Sequence, residues 1–146
     1  MQHLGAGLHR RMTDISRTRA PVTLPPTATV RQAARLMRDR RVGAILVTDP
    51  KGRLLGIFTG RDAVARVLAE GRSAATTRLD DVMTRNPDAL PAGATAIEAL
   101  RLMHDGGFRH VPVVEREQVA GIVSFADFRG VERAHLDEET GFWEIL

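Results

Sequence analysis

The chain repeats itself. Displaced by 66 positions, Asp14, Thr18, Arg19 and Pro21 fall on Asp80, Thr84, Arg85 and Pro87. Leu24-Pro25 falls on Leu90-Pro91, Ala28-Thr29 on Ala94-Thr95 and Ala33 on Ala99, and the string Arg35-Leu36-Met37 recurs as Arg101-Leu102-Met103. After a one-residue deletion, Gly56-Ile57 matches Gly121-Ile122 and Asp62 matches Asp127. Matches in this order divide the 146 residues into two copies of one unit. A unit of ~60 residues is marginal by itself, so the simplest fold packs the copies together about a pseudo-twofold axis.

Each copy carries the same local signals. A short extended piece, PVTL or PDAL, is kept from helix by its proline. Thr29-x-x-Gln32 and Thr95-x-x-Glu98 are capping boxes that open a helix. Helical spacing of Val30, Ala33, Ala34 and Met37, and of Ala96, Ala99, Leu100 and Met103, predicts one buried stripe per helix. Two aliphatic runs follow, separated by Asp49-Pro50-Lys51-Gly52 in the first copy and by Arg116-Glu117 in the second. The strings GIFTGRD (56–62) and GIVSFAD (121–127) then lead from a strand into a second helix. In the first copy Val64, Val67 and Leu68 are expected to share one buried stripe, with Gly71 as the stop. The expected class is therefore α/β (α+β), two β-α-β-β-α repeats. Residues 14–71 form repeat 1 and 80–134 repeat 2, with an N-terminal extension (1–13), a linker (72–79) and a tail (135–146).

Composition removes several function classes. Without cysteine there is no disulfide, thiol nucleophile or thiolate metal site. His3, His9, His104, His110 and His135 show no metal-ligand spacing, and no Ser-His-acid or paired-carboxylate arrangement suggests catalysis. A formal charge of +3 with a single lysine and no tyrosine leaves few groups titrating between histidine and arginine. The high isoelectric point that results is no sign of a phosphate-binding surface, and arginine clusters such as HRRM and RDRR read as solvated faces, which argues against nucleic acid. No stretch is long and apolar enough for a transmembrane helix, and MQHLGAGLHRRM lacks a signal-peptide pattern, so a cytoplasmic location is expected. Phe142, Trp143, Ile145 and Leu146 in the tail would either dock a partner or cover the protein's own surface.

The chain resembles the cystathionine-β-synthase (CBS) domain family in its tandem form, over about Asp14 to Arg133. The resemblance rests on VMTRNP (82–87), GFRHVPVV (107–114) and the paired G-h-h-[ST]-x-x-D strings, where h is apolar. It implies a non-enzymatic regulatory module with no catalytic cofactor or metal. Such a module binds AMP, ADP, ATP, NAD or S-adenosylmethionine in clefts between the repeats, senses energy state, and signals to a protein partner, commonly as a disc-like homodimer. Carried over residue by residue, Asp62 and Asp127 would bind ribose, and Thr59 and Ser124 would lie on the phosphate side with Arg61. Thr23, Ala44, Ile45, Arg109, His110, Val111 and Pro112 would supply the other nucleotide contacts.

The chemistry fits, because an ionised carboxylate accepts hydrogen bonds from two adjacent hydroxyls. Helix N-termini favour phosphate, and Gly56 and Gly121 would leave room for a ligand or for backbone. The copies differ, with Ala89 opposite Thr23 and Ala126 opposite Arg61, so unequal affinities are expected, Asp62 ahead of Asp127. Two other readings stand beside this one. Thr59-x-x-Asp62 is also close to a plain capping box, and the alternative function is a ligand-free dimerisation scaffold built from the repeats.

Overall fold

The computed structural model describes residues 20–128. Asp14, Thr18, Arg19, the extension 1–13 and the aromatic tail lie outside them. The described residues divide into two units, Pro21–Pro87 with Arg116–Val119, and Asp88–Glu115 with residues 120–128. Both are mixed α and β.

In the first unit the order is β1 (Thr23–Leu24), α1 (Val30–Arg40), β2 (Ala44–Thr48), β3 (Leu54–Thr59), α2 (Gly60–Asp62), α3 (Leu79–Val82) and β4 (Thr84–Arg85). One sheet runs β1-β2-β3-β4. β1 is parallel to β2 in the register Thr23 opposite Leu46, while β2 and β3 are antiparallel with Ala44 opposite Thr59. β4 pairs antiparallel with β3, Gly56 opposite Arg85. Strand alternation sends Ile45, Val47 and Phe58 into a core shared with Val30, Ala33, Val67, Leu79, Val82 and Met83. The β2–β3 turn is held by Asp49, whose Oδ1 accepts from the N–H groups of Lys51 (2.8 Å) and Arg53 (2.9 Å), with Gly52 at φ 80°.

α1 begins as expected. Gln32 N–H donates to Thr29 Oγ1 (3.2 Å) and Thr29 N–H to Gln32 Oε1 (2.8 Å). The stretch read as a linker does more than connect. The carbonyls of Thr77 and Ala74 accept from Val30 and Arg31 N–H, both at 2.9 Å, which satisfies two donors that a helix start leaves without intrahelical partners. Two expectations about helix faces fail. Ala34 is exposed, so the α1 stripe is narrower than its spacing suggested. After α2 the chain winds as a π-helix, Ala63–Leu68, in which Val67 is buried but Val64 and Leu68 are 60% and 73% exposed. Hydrogen bonds to the fifth residue, as from Ala69 N–H to the Val64 carbonyl (2.9 Å), turn Val67 away from the face that α-winding would have shared. Gly71, at φ 67°, ends the segment as expected.

The second unit contains β5 (Leu90–Pro91), α4 (Ala96–Gly106), β6 (His110–Glu115), all but the first two residues of β7 (Gln118–Ser124) and a 3-10 turn, Phe125–Asp127. Its sheet runs β5-β6-β7, with β5 parallel to β6. Thr95 and Glu98 form the second capping box, Thr95 N–H donating to Glu98 Oε2 at 3.1 Å. Here all four stripe residues, Ala96, Ala99, Leu100 and Met103, are buried with Val111, Val113, Val123, Phe125 and Phe128. α4 closes on Gly107 at φ 70°, and the β6–β7 hairpin turns through Arg116 and Glu117, at φ 52° and 66°.

Candidate functional site

β3 ends on Thr59, whose extended backbone (φ −117°, ψ 171°) caps the helix that follows. The cap is reciprocal. Thr59 N–H and Thr59 Oγ1 both donate to Asp62 Oδ2, at 2.9 and 3.1 Å, and Asp62 N–H donates to Thr59 Oγ1 at 3.3 Å. Short range thus explains one carboxylate oxygen. The other, Oδ1, accepts from Thr84 Oγ1 at 3.1 Å and faces Arg66 Nε at 3.6 Å. Asp62 is only 7% exposed, so its charge is held by neighbours rather than by solvent. Arg66 also donates through Nη1 to the Met83 carbonyl at 2.8 Å, which ties the π-helix to the entry into β4.

The second motif repeats this design with a difference. Ser124 N–H donates to Asp127 Oδ2 at 2.7 Å, the same backbone-to-carboxylate bond as in the first copy. Ser124 Oγ faces the Asp127 N–H in the same capping-box arrangement but falls short of a hydrogen bond to it, and among the described residues this buried oxygen has no other partner. A buried hydroxyl in that condition has hydrogen-bonding capacity to give to an incoming polar group.

The remaining candidates fall into four settings. Ala44, Ile45, Val111 and Pro112 are buried strand residues, and Ile45 and Val111 belong to the cores of their units. Thr23 is exposed and lines a cleft of about 420 Å³ together with Leu24, Pro25, Pro26, Thr48 and Pro50. Arg61 and Arg109 are exposed, and the Arg109 guanidinium lies 5.3 Å from the centre of the Phe125 ring, a cation–π contact. His110 begins β6 and is half-buried. Gly56 makes room for the chain's own residues. A Cβ there would stand 2.5 Å from Met83 Sδ and 2.9 Å from the Thr84 carbonyl oxygen.

Sequence reasoning missed Thr84 and Arg66 as partners of Asp62. Arg66 was within reach, since acid and base four residues apart on a helix are neighbours. Thr84 carried no such signal, because it lies 22 residues beyond the aspartate.

Two units with a strand-helix-strand-strand core, each delivering a Thr–Asp or Ser–Asp pair just after the second strand of its hairpin, define a tandem-repeat α/β module. The CBS domain model matches residues 12–69 and 79–133, and the chain belongs to that family. It is 44% identical over 102 residues to the CBS domain-containing protein CBSCBSPB3 of Arabidopsis thaliana, covering 70% of this chain and 18% of that protein. The chain spans about a fifth of the length of such curated relatives. Among solved structures, the CBS-domain containing protein ATU1752 from Agrobacterium tumefaciens superimposes with TM-score 0.74 at 34% identity, covering 86% of this chain and 98% of that one. The CBS domain protein PAE2072 from Pyrobaculum aerophilum, solved in complex with AMP, gives TM-score 0.77 at 25% identity, with 88% and 98% covered. Among the described residues no helix is long and apolar enough to cross a membrane.

Proposed function

We propose that the chain is a regulatory ligand-sensing module that binds an adenosine-containing nucleotide and passes the resulting change to a protein partner. The observation that carries this reading is its likeness to a CBS protein complexed with AMP, over most of both chains. Local chemistry supports it. In this reading Asp62 and Asp127 bind the ribose diol through their carboxylates and the Thr59 and Ser124 hydroxyls take the phosphate side, each pair held together by a backbone-to-carboxylate bond. Arg61 and Arg109 are solvent-facing cations suited to offset phosphate charge. The drive for signalling is differential affinity of the ligand for two conformations.

A thermal-shift panel of AMP, ADP, ATP, NAD and S-adenosylmethionine tests this on wild type, Asp62→Ala and Asp127→Ala. Ligand at a hundred times its dissociation constant adds about 2.7 kcal/mol, a rise of several degrees. Each variant should lose part of the ligand-induced shift, measured from its own ligand-free Tm, because both substitutions also remove cap bonds. No shift of wild type by any of the five compounds would sink the reading. A second reading, a dimerisation scaffold, draws on the exposed Val64 and Leu68. It predicts a stable dimer in sedimentation that Val64→Ser/Leu68→Ser converts to monomer while no nucleotide binds.

A further inference from the structure

The Asp62 carboxylate is almost fully engaged by the chain itself. Oδ2 accepts twice from Thr59, and Oδ1 accepts from Thr84 Oγ1 with the Arg66 guanidinium beside it. Each oxygen has about two acceptor directions, so one remains unassigned, on the oxygen that Arg66 approaches. A ribose diol brings two hydroxyl donors and needs two.

We infer that Thr84 and Arg66 are positioning residues that compete with ribose for Asp62, so that nucleotide binding loosens the Leu79–Arg85 segment. The inference rests on the reading of Asp62 as a ribose ligand and adds what occupancy of that site does. Both competitors are mechanically connected to the segment. Thr84 opens β4, where it pairs with Ile57, and Arg66 donates to the Met83 carbonyl at 2.8 Å and to the Val82 carbonyl at 3.5 Å. Leu79, Val82 and Met83 pack into the core of the same unit, and the Leu79 N–H donates to the Ala28 carbonyl at 2.8 Å, so the segment keeps an anchor when the polar tie opens. The change is therefore a local loosening, not an unfolding. It is directed at the stretch that leads out of the first unit into the second.

Competition has a signature that a purely structural bond lacks. Removing the Thr84 hydroxyl should weaken the fold and strengthen the ligand, whereas a merely structural role lowers both. The test uses the full chain as wild type, Thr84→Val and Thr84→Ser, titrated calorimetrically with AMP and 2′-deoxy-AMP, with amide exchange followed by mass spectrometry. Thr84→Val should bind AMP about three- to tenfold more tightly than wild type, the scale of one ordinary intramolecular hydrogen bond, while its Tm falls. Thr84→Ser keeps the hydroxyl and should restore wild-type affinity. AMP should speed exchange of amides 79–85 in wild type, and Thr84→Val should do so without nucleotide. Unchanged or weaker AMP binding by Thr84→Val, where wild type binds, overturns the competition. If neither protein binds AMP or any of the other four compounds of the thermal-shift panel, the proposed function fails, and the exchange data judge the tie separately. Unchanged exchange in Thr84→Val overturns it, and faster exchange confined to 79–85 upholds it.

Discussion

The two copies of the strand-to-helix motif share a spacing and differ in what surrounds it. In the first, every polar side-chain atom of the Thr59–Asp62 pair is engaged, by the cap itself and by Thr84. In the second, Ser124 N–H repeats the bond to its aspartate, yet the Ser124 hydroxyl is buried without a partner. The first copy is thus satisfied by its own fold, and the second has a donor and acceptor in reserve. Identical spacing does not make identical sites, because the lone pairs left for a ligand depend on residues outside the motif.

The same contrast extends to the long helices. α4 buries its whole predicted stripe, whereas in α1 Ala34 faces solvent at the position matched by Leu100. Leu100→Ala should therefore give the largest loss, about 2–5 kcal/mol in denaturant unfolding. The matched Ala34→Ser should stay within about 0.5 kcal/mol, as for an exposed site. Equal losses at the two positions would show that the helices are packed alike after all. Next in size, Thr59→Ala removes a cap hydroxyl in use and should cost about 1 kcal/mol. Ser124→Ala removes a hydroxyl with no partner, so it should be neutral or slightly stabilising. If both cost the same, the described difference between the motifs is wrong. The smallest effect belongs to the helix ends. α1 closes on Arg41 at φ 55°, where the matched residue of α4 is Gly107 at φ 70°. Arg41→Gly should raise stability by about 0.5–1 kcal/mol, since glycine enters the left-handed region without a Cβ clash. A lower Tm for Arg41→Gly would break the equivalence of the two caps.

Much of this was legible in the chain itself. Both capping boxes of α1 and α4, the Asp49 turn and the short strands before each helix stand where the spacing put them. Membership of the family was legible too, from VMTRNP and GFRHVPVV in a repeated frame. The stripe through Val64, Val67 and Leu68 was not, because the pattern cannot distinguish α- from π-winding, and that choice decides which side chains share a face. Gly56 was read as space for a ligand or for backbone, and its neighbours prove to be Met83 and the Thr84 carbonyl.

What the sequence by itself determined is the set of features closed within about four residues: caps, turns, helix starts and the repeat they compose. Their partners are fixed by covalent proximity, so residue type and spacing suffice. Only the tertiary structure decided that Thr84 meets Asp62, that the linker carbonyls cap α1, and that Ser124 keeps a buried hydroxyl without a partner. Those outcomes depend on residues brought together from tens of positions apart, where packing selects among many candidates that the sequence leaves equivalent.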